Sequence, residues 1–267
     1  MIKDITIGQY IPGETFVHKL DPRTKILLTI LYIISLFIVD KFVGYILIIG
    51  FLVLTVWAAK LPVRYLAKGI KPVLFLIIFT AVLNIFMVKG TLNNLIFEYG
   101  FIKVYKEGLL TAAFMALRLI FLIMSTSVLT LTTSPIELTD AIEKLLKPIG
   151  KEIAHELAMM MTIALRFIPT LMDETDKIMM AQKARGADFD NGGLMQKAKS
   201  LIPLLVPLFV SSFRRADELA MAMESRAYRG GAGRTRMKQL KFTNNDLLSF
   251  GLFSILFVGA LLVRFYL

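Results

Sequence analysis

Long apolar runs joined by short basic segments are the feature that most constrains the fold of this chain. An α-helix crosses the hydrocarbon core of a bilayer with about 20 mostly apolar residues, and four runs come close to or exceed that length, at positions 42–59, 73–88, 109–131 and 247–263. A fifth run begins at Asp21-Pro22, where Asp21 suits the N-cap and Pro22 the first helical position. From Pro22 to Asp40 a helix would measure roughly 28 Å at about 1.5 Å per residue. The sequence therefore predicts an all-α membrane protein with about five transmembrane helices.

The composition agrees with a multi-pass membrane protein. Hydrophobic residues make up 56% of the chain and the mean hydropathy is +0.68, whereas soluble domains contain about 45–50% apolar residues. The net charge of +11 comes mainly from the segments between the apolar runs, and cytoplasmic connections of membrane proteins carry an excess of Lys and Arg. We therefore expect the lipid bilayer, and no nucleic acid, to be the partner of these charges. The basic residues of 18–25 and 60–71 place the N-terminus in the cytoplasm.

Side chains suited to catalysis or metal binding are scarce. The chain has no Cys and only two His. His155-Glu156 is followed by Leu157, Ala158 and Met159, so the second histidine of a metalloprotease helix is missing. The glycine-rich stretch 230–235 lacks the spacing of a phosphate-binding P-loop. The sequence thus predicts a protein that is no enzyme and has no cofactor or metal site; if it uses ATP, another chain binds the nucleotide.

A less apolar, helix-rich region separates the apolar runs at 109–131 and 247–263. Ser134 to Glu137 has the pattern of a capping box with Pro135 at the first helical position, and long helical patterns follow at 152–184 and 194–228. Charged residues interrupt both long patterns, so neither crosses a bilayer alone. We predict three parts: an N-terminal transmembrane region with four spans (1–133), cytoplasmic or interfacial coupling helices with two long crossed helices (134–243), and a C-terminal transmembrane helix (244–267).

Two arginines end these long patterns in matching contexts. Residues 180–186 read MAQKARG and residues 221–227 read MAMESRA, so Arg185 and Arg226 each lie between small residues after Met-Ala. One interpretation is that the two arginines only complement the negative end of the helix dipole. The other is that small neighbours allow close approach to a partner whose carboxylate the guanidinium grips in bidentate fashion. Two equivalent tips imply two equivalent receptors.

Arg118 lies near the middle of the predicted span at 109–131. An ionised side chain at this depth is costly unless it faces protein or water. It is either a residue of a substrate path or subunit contact, or a structural arginine satisfied by carbonyls or by the neighbouring hydroxyls of Ser125, Thr126 and Ser127. The sequence leaves both interpretations open.

Three motifs stand out along the chain: TTSPIELT at 132–139, LRFIP at 165–169 and AQKARGAD at 181–188. Together they resemble one known family, the transmembrane T component of energy-coupling factor (ECF) transporters. The resemblance implies a non-catalytic subunit of an importer of the ATP-binding-cassette class, in the cell membrane of a bacterium or archaeon, that takes up vitamins or transition metals. It also implies two partners: a pair of cytoplasmic ATPase subunits and a small membrane S component that captures the substrate.

The resemblance further implies the site residues. Ala184, Arg185 and Gly186 match the family's first ATPase-coupling triplet, and Ser225, Arg226 and Ala227 are the second, which keeps only the arginine. Since Ala227 replaces a glycine, we expect the role of ending the helix to pass to Gly230. An apolar face for the S component is expected at Leu201, Leu204, Leu205, Leu208 and Phe209.

The alternative function is a stand-alone secondary transporter or channel that uses Arg118. Such carriers place ionisable groups or broken helices at mid-membrane, and the apolar interiors of the five predicted spans contain no carboxylate. An intramembrane enzyme is disfavoured by the missing histidine, cysteine and carboxylate groupings.

Overall fold

A computed structural model describes residues 10–39, 41–88, 95–99, 102–187, 189, 193–231 and 239–266. Helices dominate these residues, together with one short antiparallel β-hairpin. In chain order the elements are α1 (Pro22–Ile38), α2 (Phe42–Ala59), α3 (Val63–Ile70), a 3₁₀ turn (Lys71–Val73), α4 (Leu74–Met87), β1 (Leu95–Tyr99), β2 (Ile102–Tyr105), α5 (Lys106–Thr132), α6 (Pro135–Leu146), α7 (Lys151–Ala184), α8 (Leu194–Ser225) and α9 (Asn244–Tyr266).

The prediction of an all-α membrane protein is confirmed. Among the described residues, four helical segments are long and apolar enough to cross a membrane, at Phe42–Ala59, Val63–Met87, Lys106–Thr132 and Asn244–Phe265. The fifth predicted span corresponds to α1, which has 17 residues. At about 1.5 Å per residue α1 is roughly 25 Å long, slightly less than a hydrocarbon core of about 30 Å. Its crossing of the membrane therefore stays a prediction.

The described residues form two compact units. We name the first, 10–141 with 239–266, the spanning unit, and the second, 142–231, the long-helix unit. The chain passes from one to the other within α6 and again after the end of α8. The predicted three-part division at 133/134 and 243/244 stays a prediction.

Local sequence signals set the helix starts that the sequence predicted. The carboxylate of Asp21 accepts the backbone N–H of Arg23 at 2.9 Å, and Pro22 opens α1. The hydroxyl of Ser134 accepts the backbone N–H of Glu137 at 3.3 Å, so this serine caps α6 and Pro135 is its first residue. In both cases the side chain satisfies an amide that the first helical turn leaves without a partner.

Aromatic side chains fill the core of the spanning unit, where α1, α2, α5 and α9 meet. Tyr32 stacks on Phe51, and Phe51 contacts Phe253 edge to face with ring centroids 5.5 Å apart. Tyr45 lies between Phe114 and Phe121. Because these rings come from four helices, the core fixes the packing of α1, α2 and α9 against α5.

The two long helices of the second unit lie against each other in antiparallel directions. The amide of Gln182 donates to the carbonyl of Pro203 at 3.4 Å, and near the other end the hydroxyl of Tyr228 lies 3.3 Å from Nε2 of His155. The predicted helix from 152 to about 184 is confirmed as α7, which continues through Pro169. Its 34 residues measure roughly 51 Å at about 1.5 Å per residue.

Candidate functional site

The end of α7 is a complete Schellman turn built around Arg185. Arg185 is the C-cap, and Gly186 follows with φ of +89°. The backbone N–H of Gly186 donates to the carbonyl of Lys183, and that of Ala187 donates to the carbonyl of Gln182, both at 3.0 Å. These two bonds satisfy carbonyls that the last helical turn leaves open. The arginine is thus held at a fixed position on the helix end.

The end of α8 repeats this turn around Arg226. The backbone N–H of Ala227 donates to the carbonyl of Glu224 at 2.8 Å, and that of Tyr228 donates to the carbonyl of Met223 at 3.0 Å. Ala227 has φ of +53°, a left-handed conformation that is rare for a residue with a Cβ. The expectation that Gly230 would end this helix is wrong: α8 ends at Ser225 and Ala227 itself makes the turn.

Both guanidinium groups are exposed to solvent. Within the described part of the chain, neither Arg185 nor Arg226 donates a side-chain hydrogen bond or forms an ion pair. The small residues before them, Ala184 and Ser225, are exposed as well, and the hydroxyl of Ser225 donates to the carbonyl of Ala222 at 3.0 Å. Each tip is therefore an accessible cation on a helix end without bulky neighbours next to it.

The antiparallel packing of α7 and α8 places the two tips far apart. Arg185 lies beside the start of α8, whereas Arg226 lies near the start of α7, as the Gln182–Pro203 and His155–Tyr228 contacts show. About 26 residues of α7 separate the two levels, which corresponds to roughly 40 Å at about 1.5 Å per residue. One small receptor cannot contact both tips at once.

A polar contact joins the two helices between the tips. The carboxylate of Glu174 on α7 accepts a short hydrogen bond from the hydroxyl of Ser211 and a second, of 2.9 Å, from Nη2 of Arg215. The Ser211 hydrogen bond, together with the charge of Arg215, lowers the pKa of Glu174 below its ordinary value. Sequence reasoning missed this contact. The sequence offers one signal for this contact: Glu174 and Arg215 carry opposite charges, and each interrupts an apolar stretch.

The five apolar residues predicted to face the S component differ in exposure. Leu201, Leu205 and Phe209 are 46%, 44% and 61% exposed. Leu204 is only 6% exposed and Leu208 is half-buried, so these two contribute to packing within the long-helix unit. Further exposed apolar side chains extend the surface of α8 that carries the exposed three; they are Ile202, Val206, Val210 and Phe213. We name the seven exposed residues the α8 apolar face.

Arg118 contacts α1 and the residue after it within the spanning unit. Its Nη2 donates to the carbonyl of Val39 at 3.4 Å, and its guanidinium lies 5.2 Å from the ring centroid of Phe37. The carbonyl contact agrees with the structural interpretation. The contact with the Phe37 ring was not predicted, and it also compensates the charge. A role in transport stays untested.

Among the residues that the structure describes, no three His, Cys, Asp or Glu side chains gather into a possible metal site.

Comparison with known proteins gives consistent results along the chain. The family model of CbiQ, described as cobalt transport protein, matches residues 13–238. Several curated relatives are named energy-coupling factor transporter transmembrane protein EcfT. The relative from Clostridium kluyveri is 66% identical over 251 residues, which cover 93% of both chains. The relative from Ruminiclostridium cellulolyticum is 54% identical over 267 residues and 99% of both chains, and that from Bacillus subtilis is 48% identical over 248 residues.

Proposed function

This chain belongs to the CbiQ family and is the transmembrane component of an energy-coupling factor transporter, and from this premise we propose that it couples two cytoplasmic ATPase subunits to a membrane S component. In this proposal the chain itself catalyses nothing. The ATPases bind and hydrolyse ATP, the S component captures a vitamin or a transition metal, and the long-helix unit passes motion from one to the other.

The observation that carries the proposal is that the two tips share the same backbone turn and the same exposed arginine. Arg185 and Arg226 are both C-cap residues of the same Schellman turn, both are exposed, and roughly 40 Å of helix separates them. A single ligand has no use for two such cations at opposite ends of a helix pair. A pair of similar ATPases does, because each copy can offer one acidic or carbonyl-lined groove to one tip.

The helix pair between the tips is suited to carrying force. Each helix spans more than 30 residues, and the Glu174 contact with Ser211 and Arg215 joins them near the middle of the pair. A displacement of either tip therefore moves both helices and with them the α8 apolar face. We propose that this face contacts the S component, since seven exposed apolar side chains on one helix need either lipid or an apolar partner.

The orientation follows from the basic segments. We propose that the N-terminus is cytoplasmic and that α1, α2, α4 and α5 cross the membrane in turn, so that the chain returns to the cytoplasm before α6. The exposed cations Lys60, Arg64 and Lys68 then lie on the cytoplasmic side, which is the side on which the ATPases are found.

Charge reversal at the tips tests the proposal. The variants Arg185→Glu and Arg226→Glu, singly and combined, are co-expressed with the ATPases and the S component, and ATPase association in mild detergent and substrate uptake are measured. Each single variant should weaken association at least tenfold, because a buried charge-assisted contact contributes several kcal/mol, and the double variant should abolish uptake. Arg214→Glu is the matched control, since Arg214 is exposed on α8 away from the tip. Normal uptake by the double variant would contradict the proposal.

A further inference from the structure

Three polar side chains form a chain of contacts beside the second tip. The imidazole Nδ1 of His155 on α7 lies 3.4 Å from the carboxylate Oε1 of Glu143 on α6, and the hydroxyl of Tyr228 lies 3.3 Å from Nε2 of the same ring. The side chains of His155 and Glu143 are only 16% and 14% exposed. Tyr228 is the second residue after Arg226 and takes part in the Schellman turn of that tip.

The proton positions in this row of three side chains follow from the chemistry of Glu143 and Tyr228 at its ends. An ionised carboxylate only accepts hydrogen bonds, so Nδ1 of His155 carries the proton that faces Glu143. In the neutral ring Nε2 is then an acceptor, and the hydroxyl of Tyr228 donates to it. With this tautomer the imidazole bridges Glu143 and Tyr228, and the two bonds support each other.

The backbone after Tyr228 packs on the other side of the same imidazole. A Cβ atom added at Gly231 would lie 2.7 Å from Cδ2 and 2.8 Å from Cγ of His155. Real Cβ atoms essentially never lie this close to another heavy atom, so a larger residue at position 231 would displace either the imidazole or the segment that passes over it. The segment from Tyr228 to Gly231 is therefore held to the start of α7 by a hydrogen bond and by close packing.

The two tips differ in this respect. Ala187 occupies the position after the first turn that Tyr228 occupies after the second, and its methyl group has no hydroxyl with which to make the corresponding bond. Both helices thus end in the same Schellman turn. The side chain that follows the turn of α8, Tyr228, bonds to the half-buried His155, whereas the side chain that follows the turn of α7, Ala187, makes no such bond.

We propose that Glu143, His155 and Tyr228 are positioning residues that hold the Arg226 tip at a fixed distance from α7, whereas the Arg185 tip lacks this clamp. The proposal rests on the function proposed above, in which Arg226 contacts an ATPase. The clamp presets the second tip for its receptor, so less conformational freedom is lost on docking there. It also makes the two ATPase contacts unequal in a chain whose two tips look alike.

Distance measurements test the clamp in the absence of partners. The natural chain has no cysteine, so spin labels attach only at introduced cysteines. One pair, at the exposed positions Met180 and Ala222, spans the two helices, and a control pair at Met180 and Met160 lies entirely on α7. In the full-length chain in nanodiscs, Tyr228→Phe should broaden the distance distribution of the first pair and leave the second unchanged. His155→Ala should broaden it similarly, and the double variant should add little. An unchanged first distribution in both single variants would overturn the clamp.

Association with the ATPases tests whether the clamp acts through Arg226. Tyr228→Phe should weaken association about three- to tenfold, which is the range expected for one hydrogen bond. In an Arg226→Ala background the same substitution should have no further effect, and in an Arg185→Ala background its effect should persist. An equal effect in both backgrounds would overturn the positioning role. If the distances respond but Arg226→Ala leaves association unchanged, the clamp stands and the proposed function fails.

Discussion

The carboxylate of Asp246 accepts a 2.8 Å hydrogen bond from the backbone N–H of Asp21, which ties the start of the last helix to the start of the first. The other oxygen of Asp246 accepts the backbone N–H and the hydroxyl of Thr243, each at 2.7 Å. Asp246 is 1% exposed. A charged group this buried is stable only because donors surround it, and the junction joins segments 225 positions apart.

We predict that Asp246→Ala lowers the free energy of unfolding by about 1–3 kcal/mol, because it leaves the buried amide of Asp21 and the partly buried amide and hydroxyl of Thr243 without their acceptor. Thermal unfolding in detergent, followed by circular dichroism, measures the change. Asn245→Ala is the control, since Asn245 is exposed on the neighbouring position of α9. Equal melting temperatures for the two variants would show that the junction contributes nothing to stability.

A second prediction concerns the contact between α4 and α5. A Cβ atom at Gly108 would lie 3.0 Å from the carbonyl oxygen of Ile85 and 3.3 Å from that of Asn84. Backbone carbonyls cannot rotate away, so Gly108→Ala should force the helices apart and cost about 1–3 kcal/mol. Gly50→Ala is the matched control, because a Cβ there meets nothing within 4 Å and alanine favours a helix by up to about 1 kcal/mol. The unfolding midpoint should fall for the first variant and stay or rise for the second.

Local signals explain why most helices could be predicted from the sequence. Asp21-Pro22 and Ser134-Pro135 each combine a capping side chain with a proline, and both mark helix starts in the structure. Length and the absence of charge indicated the long apolar helices. The hairpin of β1 and β2 was missed because strands of 5 and 4 residues are too short for a clear period-2 pattern.

Contacts between distant residues could not be predicted in the same way. The bond from Ser211 to Glu174 depends on the antiparallel register of α7 and α8, which tertiary packing sets. The same register buries Leu204 and exposes Leu205, a difference that apolar composition alone does not contain. The candidate tips were found because their repeat is local; the Tyr228 clamp was not, because its members come from three elements.

The pKa of Glu174 leads to a third prediction. The hydrogen bond from Ser211 and the charge of Arg215 lower this pKa in the folded state from its ordinary value of 4.5. The stabilisation is therefore complete above about pH 4.5 and is lost as the pH falls through the lowered folded-state pKa. At pH 7 Glu174→Gln should lower the melting temperature by about 2 °C, as expected for a partly exposed pair. The difference between the two proteins should shrink as the pH falls below 4.5. A difference that does not change between pH 7 and pH 3 would contradict this account.

The contrast between Leu204 and Leu205 leads to a fourth prediction. Leu204 is 6% exposed and Leu205 is 44% exposed, although the two are adjacent on α8. Leu204→Ala should lower the unfolding free energy by about 2–3 kcal/mol because it creates a cavity. Leu205→Ala should change stability by less than about 0.5 kcal/mol. Combined with Phe209→Ala, it should reduce recovery of the S component with the detergent-purified complex. Full recovery with the doubly substituted α8 apolar face would remove this face as the docking surface.

The two Schellman turns allow a paired substitution at the tips. Ala227 holds φ of +53° and Gly186 holds φ of +89°, a region that costs a residue with a Cβ roughly 1–2 kcal/mol and glycine almost nothing. Ala227→Gly should therefore stabilise the last turn of α8 by about 1 kcal/mol, and Gly186→Ala should destabilise that of α7 by a similar amount. Hydrogen exchange of the Tyr228 and Ala187 amides measures both effects: protection should rise about fivefold at Tyr228 in the first variant and fall about fivefold at Ala187 in the second. Each amide should be unaffected by the substitution at the other tip, and changes of the same sign at both would contradict the cap geometry. Since neither substitution alters an arginine, the pair also separates the rigidity of a tip from its charge.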